Sequence, residues 1–164
     1  MFRVVICTAF LCVTVSLVSA RSSAGTSTAT CTFQDGQQIS LRYSNQLVQS
    51  KTRLPEGKIW TPGERPMFLF TQGALTIGSS DIPAGAYSAY LIPQHNNWIL
   101  VLNKNVAEGS RYDEHEDVLR TPMQSGQINE PQPFWVAFAH IAPKQCNLRI
   151  YYGKVGTWAE FKQK

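Results

Sequence analysis

The chain lacks most of the spacings that announce chemistry. It has no C-x-x-C and no H-x-H, so the four-ligand set that zinc wants is not assembled locally. No D-x-[DN]-x-[DN]-G loop is present for calcium. No G-x-S-x-G elbow marks a serine nucleophile, and a dispersed triad has no support. No run of Lys and Arg interleaved with aromatics appears, which disfavours nucleic acid. Neither a cofactor nor a metal is expected.

Cysteine is scarce and informative. Four occur, and Cys7 and Cys12 fall in the apolar run Val4 to Val18. That run follows Met1-Phe2-Arg3, is shorter than the roughly 20 residues of a spanning helix, and ends in Val18-Ser19-Ala20. Residues 1–20 therefore read as a secretory signal cleaved after Ala20, with a retained anchor as the lesser reading. Cys12 follows Leu11 in mid-run, unlike a lipoprotein cysteine. Cleavage leaves Cys31 and Cys146, for which a disulfide is expected in an exported chain. Loop-closure arguments give such a bridge up to about 4–5 kcal/mol. The alternative is two buried thiols. The expected address is periplasmic or extracellular, with no transmembrane segment after cleavage.

Residues 21–30 are small and polar and read as a flexible leader; residues 31–164 read as one β domain. Without Arg3 the balance is 14 basic against 11 acidic residues. Five of the acids lie in residues 108–117 against Arg111 alone, leaving the rest of the domain positive.

The pattern is β nearly throughout. Ile39, Leu41 and Tyr43 alternate with Ser40, Arg42 and Ser44. Met67 to Phe70, Ala74 to Ile77, Ala86 to Ile92, Trp98 to Leu102, Phe134 to Ile141, Asn147 to Tyr152 and Val155 to Phe161 are further strands, with Gly153-Lys154 a tight turn. The five apolar residues from Trp98 predict a central strand covered on both faces. The fold class is all-β, a single-domain β-sandwich or barrel-like fold of about 8–10 short strands. Asn103 to Pro133 is expected as one long polar loop, with one or two helical turns between Tyr112 and Leu119.

Several phrases carry a resemblance. They are Gly57-Lys58-Ile59-Trp60, Ile82-Pro83-Ala84-Gly85-Ala86-Tyr87-Ser88, Leu91-Ile92-Pro93, Trp98 with Leu102-Asn103-Lys104, Tyr112-Asp113, and Asp117-Val118-Leu119-Arg120. Together they resemble the domain of unknown function 2911 family, exported proteins of Acidobacteria, Bacteroidetes and relatives, over roughly residues 31–163. The resemblance implies a bacterial, extracytoplasmic, β-rich domain and no particular activity. In the family's commoner form the first tryptophan is followed by Arg-x-Gly-Ala-Asn-Glu. Here Trp60 is followed by Thr61-Pro62-Gly63-Glu64-Arg65-Pro66, so a polar site there in relatives would be lost or altered in this chain. The Pro83-Ala84-Gly85 turn is also similar to the second cupin motif, but Ala86, Tyr87 and Ser88 follow it without the metal-binding histidine.

Aromatics are the better lead. Trp135 and Trp158 lie on the parity opposite to their apolar neighbours, where one could face outward and stack on a ligand. Tyr112 and Arg120 are further ligand-binding candidates, although with Asp117 they suit packing of the loop onto the sheet equally well. The function expected is a non-enzymatic binding or interaction module for a glycan, peptide or envelope component. The alternatives are an envelope-acting hydrolase using His95, His140 or the acids of 113–117, and a purely structural envelope component.

Overall fold

A computed structural model describes residues 25–45, 53–95 and 97–164. The signal at residues 1–20 and the first residues of the leader lie outside the described residues. Alternation builds the first hairpin. β1 (Thr26–Thr32) pairs antiparallel with β2 (Gln38–Ser44), from Thr26 opposite Ser44 to Thr32 opposite Gln38. Ile39, Leu41 and Tyr43 turn inward while Arg42 stays out. The flexible leader therefore needs correcting: residues 26–30 belong to a strand. Its β-branched threonines suit a pleated surface with one wet face, which reads as low complexity because only Cys31 of this strand is fully buried.

The remaining strands are β3 (Met67–Thr71), β4 (Leu75–Ile77), β5 (Ser80–Ile82), β6 (Gly85–Ile92), β7 (Ile99–Asn103), β8 (Asp117–Pro122), β9 (Gln124–Ala142) and β10 (Gln145–Gln163). They form two sheets, ordered β1-β2-β3-β6-β7-β8 and β5-β4-β10-β9, with every pairing antiparallel. Two separate sheets packed face to face make this a sandwich and not a closed barrel.

One core fills the space between them. Leu41, Leu69, Leu91 and Leu100 of the large sheet face Leu148, Ile150 and Phe161 of the small one. The Trp60 ring packs edge-on against Trp98, Phe134 and Tyr152. Its backbone bridges Leu91, with the Trp60 amide donating to the Leu91 carbonyl at 2.7 Å. Val101, on the other face of β7, joins Tyr90 and Ile92 in a second cluster, with Tyr112 packed against it. β7 is thus covered on both faces, as its five-residue apolar run predicts.

Two expectations change. Residues 103–133 are not one loop. β8 and the first half of β9 lie inside them, and the connection is residues 104–116, with a single three-residue 3-10 turn at Glu114–Glu116. β8 is an edge strand that buries only Leu119 deeply, and β9 before Phe134 buries no residue fully, so neither shows an apolar period. Gly153-Lys154 is not a tight turn either. β10 runs straight through, because both of its halves pair with β9, and the register slips on each side of Gly153, whose φ is 59°. The extra residues of this bulge are on β9, which runs from Trp135 to Gln127 while β10 advances from Tyr151 to Val155, and β10 stays continuous.

Cys31 and Cys146 form the disulfide, with their Cα atoms 6.4 Å apart. It joins β1 to β10, the last strand. Both cysteines are buried. Replacing the pair with alanine (Cys31→Ala with Cys146→Ala) is expected to cost about 2–4 kcal/mol. Urea unfolding checks this, and a loss below about 0.5 kcal/mol would show that the bridge does not restrain the chain.

Candidate functional site

The outward face of the β9–β10 hairpin carries a groove. Asn147, Arg149 and Tyr151 point outward because Cys146, Leu148, Ile150 and Tyr152 point into the core. Beyond the bulge, Gly156 and Trp158 continue that face, opposite Gly126 and Gln124 of β9. The groove has a volume of about 340 Å³ and is lined from both sides of the bulge.

Tyr151 and Trp158 are its aromatic walls. The Trp135 ring stacks on Tyr151 with centroids 5.0 Å apart and planes 22° from parallel. Trp135 lies behind the wall and is 49% exposed. The Trp158 Nε1 donates to Gln124 Oε1 at 2.9 Å, which fixes the ring's orientation. The floor is glycine. Neither Gly126 nor Gly156 has a positive φ, so the missing side chains serve space and not backbone freedom. A Cβ on Gly156 would lie 3.3 Å from the Tyr151 ring and from Ile128, and one on Gly126 would lie 3.7 Å from the Trp158 ring.

Polar groups are few here. Arg149 is half-buried, faces Ala137 across the hairpin and has no acidic partner. Asn147 Oδ1 is out of solvent with no donor.

The other two candidates sit elsewhere. Tyr112 and Arg120 lie over the outer face and edge of the large sheet, bound to Asp117. Tyr112 Oη donates to Asp117 Oδ2 at 2.6 Å, Arg120 Nε donates to the same oxygen at 2.7 Å, and Arg120 also donates to Tyr112 Oη. Asn103, 1% exposed, donates through Nδ2 to Asp117 Oδ1 and to the Asp113 carbonyl, both at 2.8 Å. The Tyr112 ring packs edge-on against Tyr90. Burial, reinforced by the Asp117 carboxylate, pushes the Tyr112 phenol up to about 12. The hydrogen bond to Asp117 likewise raises Arg120. These groups are turned toward one another and fasten the 104–116 connection to the sheet.

The hydrolase candidates do not converge. His95, His115 and His140 are all exposed, and neither the His95 nor the His140 side chain has a hydrogen-bond or ionic partner among the described residues. Glu114 pairs with Arg120 and Glu116 with Lys104. Among the described residues no three of His, Cys, Asp and Glu stand close enough to hold a metal. Tyr151, Arg149, Asn147 and the two glycines were not legible as a site. The available signal was the outward parity of 147, 149 and 151 beside Leu148 and Ile150.

Fold and groove together define an all-β sandwich with an aromatic-walled recess on the outside of its smaller sheet. The chain belongs to the family described as protein of unknown function (DUF2911), whose model matches residues 24–161. No curated protein and no solved structure gives a significant match.

The fastening of the 104–116 connection is testable by pH. Tyr112 is held neutral in the fold, while a tyrosine in the unfolded chain ionises near pH 10. Its contribution is fully present below about pH 10 and is lost as pH rises toward about 12. Tyr112→Phe is expected to lose about 1 kcal/mol near neutral pH and to show a shallower alkaline decline. Tyr87 and Tyr90, also raised by burial, keep part of that decline. Urea midpoints from neutral pH upward decide it; an unchanged alkaline slope would remove Tyr112 from the account.

Proposed function

We propose that this protein is an exported, non-enzymatic binding module that takes a sugar ring of an envelope or extracellular glycan into the groove between Tyr151 and Trp158. The observation that carries this reading is the recess itself: two aromatic walls over a floor of two glycines. Aromatic faces bind the apolar faces of sugar rings by contact and stacking. A volume of about 340 Å³ is at the small end of ligand sites and suits one or two rings. Gly126 stands opposite Gly156 and Ser125 opposite Thr157, at the β9 edge of the small sheet. Export is supported by the N-terminal apolar run and is compatible with the buried disulfide. No helix among the described residues is long and apolar enough to cross a membrane.

Calorimetric titration with a panel of envelope oligosaccharides tests the reading. Saturable binding is expected, weakened about tenfold or more by Trp158→Ala or Tyr151→Ala. Trp135→Ala is expected to act less, because that ring only backs Tyr151. Tyr112→Phe is expected to leave affinity unchanged. If no saccharide binds, or if Tyr112→Phe rather than Trp158→Ala abolishes binding, the groove is not the site.

A further inference from the structure

We infer that the groove selects a carboxylated sugar, a uronic-acid type of ring, with Arg149 taking the carboxylate. This rests on the reading of the groove as a sugar site and narrows it to one class. The charge inventory carries the argument. Twelve basic side chains fall among the described residues, and all but Arg149 are exposed. Arg65, Lys104, Arg120, Lys162 and Lys164 each have an acidic partner, and Arg42 lies over the Phe68 and Phe70 rings. Arg149 alone is partly buried, and no acid pairs with it.

No acid supplies a counter-charge. All eleven Asp and Glu residues of the sequence are among those described, and none pairs with Arg149. The other groove residues are neutral, so the recess holds one uncompensated positive charge. A half-buried charge gives up hydration and recovers it only through a partner. Guanidinium matches a carboxylate with two parallel hydrogen bonds. Asn147 stands two residues away on the same face with an amide oxygen that has no donor. Turning that amide toward a ligand hydroxyl breaks no hydrogen bond at Oδ1 and makes one. Carboxylate, hydroxyl and a flat apolar ring face together describe a uronic acid. An acidic peptide offers the first of these, but not the ring face for which the glycine floor leaves room.

The test compares oligosaccharides of glucuronic or galacturonic acid with their neutral glucose and galactose counterparts, by calorimetry on the protein at low and high salt. The acidic forms are expected to bind about tenfold or more tightly, with the preference shrinking as salt rises. Arg149→Gln is expected to abolish the preference while leaving weak neutral binding, and Asn147→Ala to weaken both. Gly126→Val fills the floor without touching Arg149 and is expected to weaken acidic and neutral sugars alike. Equal binding of acidic and neutral sugars would overturn the carboxylate assignment and leave the glycan reading standing. Tight binding of oligoglutamate with the same Arg149 dependence would overturn the sugar assignment. No binding of any sugar would sink the glycan reading and this inference with it. If Arg149→Gln fails to fold, the wild-type preference, its salt dependence and Gly126→Val still decide.

Discussion

β9 and β10 pair along most of their nineteen residues each while slipping register around Gly153, and most of the molecule hangs on that slip. Before the bulge, Leu148 and Ile150 of β10 face the large sheet, and Cys146 reaches across to Cys31. After it, Ala159 and Phe161 return to the same core, and the strand end finds β4. A regular strand of that length would twist out of contact with one end of the sandwich. The bulge redirects it, so one hairpin closes the core over its whole extent. The opposite face of the same bend is where Tyr151 and Trp158 stand on either side of Gly126 and Gly156. Core and recess are two faces of one backbone irregularity.

The large sheet solves a different problem. Its outer face carries Tyr90, Ile92 and Val101, which a two-layer sandwich leaves wet. The 104–116 connection covers them with Tyr112, and Asp117 holds the cover down through Tyr112, Arg120 and Asn103. The acidic run of residues 113–117 is consumed in this fastening and in pairs with Lys104 and Arg120.

Legibility in the sequence follows burial. Strands with one dry face, such as β2 and the first half of β10, announce themselves by alternation, and β7 by its unbroken apolar run. The disulfide is readable because only two cysteines outlast the apolar N-terminal run. What escapes is whatever lies at an edge or bends. β1 and β8 bury one residue each deeply, so their sequences look like leader and loop. Gly153 looks like a turn because a bulge and a turn ask for the same residue. The candidate site was half legible: parity puts Trp135 and Trp158 outward. It cannot show that residues 126 and 156, thirty positions apart, face one another beneath a second ring from Tyr151.

The phrases that carry the family resemblance cluster away from the groove. Ser88, Asn103, Tyr112, Asp117 and Arg120 belong to the fastening of the 104–116 connection; Trp60 and Trp98 are packed together in the core. The departure at residues 61–66 falls on that side too. There Pro62–Glu64 forms a 3-10 turn with Gly63 and Glu64 both at positive φ, and Arg65 reaches Glu108. None of the quoted phrases includes Asn147, Arg149, Tyr151 or Trp158. The family model itself spans residues 24–161, which takes in the recess on the small sheet as well as the cover on the large one.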